Sequence, residues 1–376
     1  MAGRLRRTIA DMHPAPFSVD AVDGRARAGV LTLAHGRVET PTFMPVGTRA
    51  VVKALDTEDL ERLDARMVLA NTYHLMLRPG SGLIDRLGGL HGFTGWQGPM
   101  LTDSGGYQVF SLEPSITEEG ATFASTYDGS PVHLTPESSM VVQQELGADV
   151  AMVFDHLVGL PAPPEVVRAA MERTLRWSER AVAVHDREDQ ALFGIVQGGI
   201  DPELRAASAE ATAALGFPGF GIGGLSVGEP PAERNAALDA CLPVLPEAKV
   251  RYVMGLGDTE GVLDAVARGA DLFDCVWPTR LARHGKVLTG GGDYNIRIAS
   301  LTDDERPLEP GCACHTCSRH SRAYLRHLHR TGELTAHRLI TIHNLHYTLS
   351  ILRRARGAIL AGTFDAFRAE LVGGRA

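Results

Sequence analysis

Gly269-Ala270-Asp271-Leu272-Phe273-Asp274-Cys275-Val276-Trp277-Pro278-Thr279-Arg280-Leu281-Ala282-Arg283-His284-Gly285-Lys286 is the stretch on which the reading of this chain turns. An apolar run carrying two aspartates stops at Pro278, and Arg280, Arg283 and Lys286 follow at once. Proline cannot donate to a central ladder, so the run is expected to leave a sheet there. Asp274 then sits near the C-terminal end of a buried strand, with cations a few residues away. A carboxylate in an apolar wall beside an anion-binding loop suits attack on a phosphorylated or nucleotide substrate. The competing reading is a strand-end aspartate that only caps the next turn.

Seven earlier runs share the character of this one: Thr42–Val46, Met67–Ala70, Pro99–Leu101, Val150–Phe154, Leu192–Val196, Phe220–Ile222 and Tyr252–Met254, with Leu272–Val276 as the eighth. Most gaps carry a helical pattern: Glu58–Leu63, Pro136–Leu146, Glu165–Val184, Pro202–Leu215, Arg234–Leu242 and Glu260–Ala267. Eight strand–helix alternations predict an α/β fold, a parallel sheet closed into a (β/α)8 TIM barrel. A doubly wound open sheet competes, but it uses fewer strands and usually opens on a glycine-rich turn, which is absent. The residues that follow the runs are polar or glycine-rich: Asn71-Thr72-Tyr73-His74, Asp103-Ser104-Gly105-Gly106-Tyr107-Gln108, Asp155, Gln197-Gly198-Gly199, Gly223-Gly224-Leu225, Gly255-Leu256-Gly257 and Asp274. In a barrel these lie on one rim, where active sites of this fold occur. Phe17–Leu33 reads as a hairpin turning at Asp23-Gly24, and Thr122–Leu134 as a second one, turning at Asp128-Gly129 and standing over the rim.

With 376 residues, 44% hydrophobic and 22% charged, the composition is that of a folded protein. No apolar run approaches ~18 residues, so no membrane span is expected. The N-terminus is basic without the apolar centre of a signal peptide, which points to a cytoplasmic protein. A formal net charge of −8 requires any nucleic-acid contact to come from a local basic surface. From Arg319 to Arg338 lie five arginines and one glutamate, either a phosphate-binding surface or a solvated helix face.

Three of the five cysteines fall at Cys312, Cys314 and Cys317. Thiolates at this spacing share one ion, and a histidine would complete a closed, structural zinc site. His343 is favoured as fourth ligand because a helical pattern, Leu339, Ile342, Leu345, Leu349 and Leu352, carries it. His320 and His337 are alternatives, and a metal-free reduced cluster is the remaining possibility. The expected organisation is an N-terminal extension and hairpin over residues 1–39 and the barrel over 40–376, with a zinc-binding subdomain at 287–345 inserted near the last strand.

Taken together, Thr102–Gln108, Gly194–Gly199, Gly223–Glu229, Phe273–Val276 with Pro278-Thr279-Arg280, and the cysteine cluster resemble bacterial-type tRNA-guanine transglycosylases, or queuine tRNA-ribosyltransferases, from about Phe17 onward. The resemblance implies exchange of guanine at the wobble position of tRNAs with a GUN anticodon, usually for 7-aminomethyl-7-deazaguanine, a queuosine precursor. It implies a zinc-bearing (β/α)8 barrel, a homodimer and no nucleotide cofactor. By motif, Asp274 matches the nucleophile that attacks ribose C1′ and Asp103 the general acid/base. Ser104, Gly105, Gly106, Asp155, Gln197 and the Gly224 backbone match the base-recognition segments; Tyr107 and Met254 match the sandwich around the base. Gly255, Leu256, Gly257, Asp258, Thr259, Glu260 and Gly261, with Thr279, Arg280, Leu281, Ala282 and Arg283, match the segments that contact the anticodon loop.

Two departures stand out. His156-Leu157 replaces the Glu-Cys that often follows the recognition aspartate in bacterial members, and Asp258-Thr259 replaces a lysine-proline. Val227 accords with the smaller aminomethyl base; queuine is the alternative. A retaining glycoside hydrolase on the same barrel is the rival enzyme class, and a non-catalytic tRNA-binding subunit the rival non-enzyme. The thiolate cluster speaks against the first and the presence of both aspartates against the second.

Overall fold

A computed structural model describes residues 15–375; the basic stretch at 1–14, on which the expectation about a signal peptide rests, lies outside them. The chain opens on a three-stranded antiparallel sheet, β1 (Phe17–Asp23), β2 (Ala26–Leu33) and β3 (Gly36–Thr40). The expected hairpin is its first two strands. The third was not legible because Gly36–Thr40 has one apolar side chain, Val38, to bury.

Next come β4 (Thr42–Gly47), β5 (Val68–Ala70) and β6 (Met100–Thr102). A small sheet, β7 (Ser115–Ile116), β8 (Ala121–Ala124) and β9 (Pro131–Leu134), precedes β10 (Val150–Met152), β11 (Ala191–Val196), β12 (Gly219–Ile222), β13 (Val250–Val253) and β14 (Leu272–Cys275). The eight strands β4, β5, β6 and β10 to β14 pair in parallel and close on themselves, β14 lying beside β4 in the register Leu272 to Thr42. This is the expected barrel, with each expected run supplying a strand. Helices on the outside cover most of the strand surface, and the strands are buried nearly throughout, which is why they read as continuous apolar runs.

The first sheet plugs the N-terminal end of the barrel. From β2, Arg27 donates to the Asp271 carboxylate at the foot of β14 and to the carbonyls of Glu247 and Lys249 below β13. Both partners of that pair are buried. A buried pair of this kind contributes little net stability but is costly to break by halves, so it fixes where the sheet sits.

The chain after β14 departs from expectation. Pro278 does not begin a loop: Trp277–Arg283 is a helix with Pro278 in its first turn, a position where its missing N–H costs nothing. The ribbon β15 (Lys286–Val287) and β16 (Tyr294–Asn295), the cysteine loop and the helix Arg322–Thr331 share a small apolar core of their own, with Val287, Ile296, Leu308, Leu325 and Leu339. The 28-residue helix Leu334–Ala361 packs against Trp277–Arg283, β4 and the first sheet. The arginine run is largely engaged: Arg322 pairs with Asp304, Arg338 with Asp59, and Arg326 donates to the Ile298 carbonyl. Among the described residues no helix is long and apolar enough to cross a membrane.

Candidate active site and metal centre

Because the barrel strands are parallel, every residue that follows one lies at the same mouth. Asp103 follows β6. Its Oδ1 accepts from the backbone N–H of Thr72 at 2.9 Å and of Gly105 at 3.2 Å, and its Oδ2 from the Asn71 amide. Asn71 in turn caps the helix Thr72–Leu77, accepting from His74 N–H at 3.0 Å. Burial pushes the Asp103 carboxyl up to about 7; the surrounding N–H donors oppose this and the nearby Asp274 charge adds to it.

Asp274 is the third residue of β14. Its Oδ1 accepts from the Tyr252 hydroxyl of β13 at 2.5 Å and from Gly255 N–H at 2.8 Å. Its Oδ2 has no hydrogen-bond partner among the described residues, and it is not sealed from solvent. Burial holds this carboxyl above its ordinary value. Tyr252 is itself buried, and burial with the Asp274 charge holds its phenol well above the ordinary range, so it remains a donor.

A second group lies across the mouth. Asp155 is buried after β10; its Oδ1 accepts from Ser104 Oγ at 3.1 Å and its Oδ2 from Gln197 Nε2 at 2.6 Å. Burial raises its carboxyl as well. The glycines here are required by close approach: a Cβ on Gly106 would lie 2.5 Å from Asp155 Oδ1, and one on Gly224, at φ +68°, 2.4 Å from Gln197 Oε1. Helix Pro202–Ala214 fixes Gln197 from behind. Gln197 N–H donates to Ser208 Oγ at 3.1 Å, and Arg205 donates to the carbonyls on either side, Val196 at 3.0 Å and Gly199 at 2.7 Å. Arg205 is fully buried with no carboxylate partner among the described residues. Met254 is half-buried above β12, where a Gly221 Cβ would lie 3.0 Å from its Sδ, while Tyr107 is 60% exposed on the helix Gly106–Phe110. Leu157 is buried against Gly224, and His156 accepts from Arg173 at 3.0 Å; burial, with Arg173, takes that imidazole down to about 4.

The segments expected to meet RNA divide by exposure. Gly255, Glu260 and Arg280 are exposed, and Gly257, Asp258, Thr259, Leu281 and Arg283 partly so. Leu256, Gly261, Thr279 and Ala282 face inward and serve packing. Asp258 caps the helix Thr259–Val266 by accepting from Gly261 N–H at 2.7 Å. Sequence reasoning missed Tyr252, Asn71 and Arg205. Asn71 was visible as a polar strand exit, whereas Tyr252 and Arg205 gave no signal.

Cys312, Cys314 and Cys317 gather around His343 Nδ1 at 3.7, 3.6 and 3.3 Å. His343 Nε2 lies 2.9 Å from the Leu288 carbonyl, which fixes its proton there and leaves Nδ1 free as a ligand. The four donor atoms lie within 4.8 Å of one another, a set able to hold a metal ion. His320 and His337 are outside it. His35, His91 and Asp149 converge similarly at the opposite end of the barrel. There the Asp149 oxygens already accept from His35 N–H and Met100 N–H, both at 2.8 Å, with the two imidazoles at 3.0 and 3.4 Å.

The profile of the family described as "Queuine tRNA-ribosyltransferase" matches residues 22–376. The chain belongs to that family. Proteins named Queuine tRNA-ribosyltransferase are similar to it along their length. The one from Desulforamulus reducens is 53% identical over 350 residues, 93% of this chain and 95% of the relative. That from Moorella thermoacetica is 52% identical over 347 residues, 92% and 93% of the two chains. That from Stenotrophomonas maltophilia is 51% identical over 364 residues, 96% and 97%. As a queuine tRNA-ribosyltransferase family member, the chain carries both carboxylates and the Cys3His cluster inside the matched region.

Proposed function

We propose that this protein exchanges guanine at the wobble position of GUN-anticodon tRNAs for 7-aminomethyl-7-deazaguanine, through a covalent ribosyl-enzyme. One observation carries the reading: two carboxylates share one mouth, the charge of Asp274 bears on Asp103, and the two are prepared differently. Asp274, held by two donors on one oxygen and open on the other, attacks C1′ as the C1′–N9 bond of guanine breaks. Asp103, poised at about 7, gives its proton to the departing purine. The incoming base then loses a proton to Asp103, its N9 bonds to C1′, and the ester to Asp274 breaks. Two displacements retain configuration at the sugar. Asp155 and Gln197 supply the polar edge that reads a guanine-like base, and Tyr107 and Met254 the flat walls of a slot for a flipped-out purine.

The Cys3His cluster fits structural zinc. With zinc–sulfur and zinc–nitrogen bonds of about 2.3 and 2.0 Å, a tetrahedral edge between the two atoms is about 3.5 Å, and the observed sulfur–nitrogen separations bracket that value. The ion would tie the cysteine loop to helix Leu334–Ala361 and supply no chemistry to the exchange. A homodimer, supported by family membership alone, is the expected assembly.

The test is displacement of labelled guanine from tRNA by competing 7-deazaguanine derivatives. Release only when a second base is supplied, with 7-aminomethyl-7-deazaguanine preferred, supports the reading. Guanine release without a second base would make the protein a hydrolase, and preference for queuine would reassign the substrate.

A further inference from the structure

Resting on that tRNA reading, the geometry points to a second RNA contact: Arg49 and Arg78, held against the ring of Tyr127, take backbone phosphates of the single-stranded loop beside the exchanged nucleotide. Arg49 follows β4 and Arg78 ends the helix that follows β5; both are exposed. Their guanidinium carbons lie 5.6 and 4.5 Å from the Tyr127 ring centroid. Neither has a carboxylate within 4 Å among the described residues, unlike Arg322, Arg338, Arg368 and Arg375, each of which is paired. Asp128, whose carboxylate feels the Arg78 charge, already accepts from Ser130 N–H at 3.2 Å and Ser130 Oγ at 2.8 Å.

The aromatic platform is fixed. The Tyr127 hydroxyl lies 3.3 Å from His74 Nδ1, and the neighbouring Thr126 is bonded to the Tyr73 hydroxyl at 3.0 Å. A guanidinium stacked on a ring keeps its N–H edge free for a phosphate and has little rotamer freedom left to lose. Position also fits. Arg78 lies at the other end of the six-residue helix Thr72–Leu77 from Asn71, which holds Asp103, and at 1.5 Å per residue that helix puts it about 9 Å further on. That is the reach of a phosphate one or two nucleotides from the reacting sugar. Because β14, β4 and β5 are neighbours, the segments carrying Arg280, Arg49 and Arg78 follow adjacent strands at the mouth of a protein whose net charge is −8.

The experiment measures binding of an anticodon stem-loop between 50 and 200 mM salt, with steady-state exchange alongside. Each of Arg49→Ala and Arg78→Ala is expected to reduce the slope of log affinity against log salt by about 0.7, and the double variant by about 1.4. The double variant should raise KM for tRNA by about three- to tenfold and leave KM for the free base unchanged. Arg78→Lys should keep the slope, since the charge remains. Arg62→Ala, which removes an arginine paired with Glu58 on an outer helix, should also keep it. A wild-type slope and KM in the double variant, or an equal loss in Arg62→Ala, overturns the contact while the exchange reading stands. Wild-type protein that neither binds nor modifies tRNA overturns both.

Discussion

Tyr252→Phe isolates what the structure does to Asp274. The substitution removes one hydroxyl from a fully buried ring and leaves the packing around it in place. Asp274 Oδ1 keeps Gly255 N–H at 2.8 Å and loses the donor at 2.5 Å. A hydrogen bond to a charged group contributes about 1.5–3 kcal/mol, so the carboxylate should ionise about ten- to a hundredfold less readily. The pH profile of kcat/KM for guanine exchange should be bell-shaped, rising as the nucleophile ionises and falling near pH 7 as Asp103 gives up its proton. The two acids interact, so both limbs belong to the pair. In the variant the acid limb should move toward the basic limb, giving a narrower and lower bell, with the basic limb moving less. An unmoved acid limb with only a lower plateau would refute the assignment of this hydroxyl to the nucleophile's ionisation.

Asp103→Asn should raise stability while abolishing exchange. The wild-type carboxyl titrates at about 7 when folded against an ordinary 3.8, so its penalty is absent below the lower value, grows between the two and is fully present above the upper one. With solvent screening at a partly exposed site the gain should be about 1–2 kcal/mol at pH 8.5; denaturant melts showing the same gain at pH 4 would contradict this. Gly106→Ala should cost about 1–3 kcal/mol and depress base binding by displacing Asp155. Gly357→Ala, in an open part of helix Leu334–Ala361, should instead stabilise by about 0.5–1 kcal/mol. Chelation, or Cys317→Ala, should release about one equivalent of zinc and lower the melting temperature; a metal-free wild type with unchanged stability would reassign the cluster.

The barrel was legible because parallel strands buried on both faces must be apolar throughout, and the mouth because polar residues have to follow them. Asp103, Asp155, Gln197 and Asp274 could be placed at that mouth from strand endings alone. What was lost is what depends on neighbouring strands. Tyr252 reaches Asp274 only because β13 lies beside β14, and Asn71 reaches Asp103 only because β5 lies beside β6. Between those last two strands three short helices, Thr72–Leu77, Ser81–Arg86 and Gly89–Thr94, are too short and glycine-laden to show a period. Pro278 misled in another way: as a sheet-breaker it suggested a loop, whereas its place in a first helical turn accounts for it equally well. His343 could be favoured as the fourth ligand because its helix has a strong apolar repeat, although His320 and His337 are nearer the cysteines in sequence.

The pairing of β14 with β4 joins residues about 230 positions apart, and Arg27 waits for Asp271 across 244. During translation nearly three-quarters of the polypeptide must leave the ribosome before the cylinder can shut. Until then β4 offers an unpaired edge to any other chain. So remote a closure predicts slow maturation and dependence on chaperones, and a nascent chain truncated before Leu272 should be found aggregated.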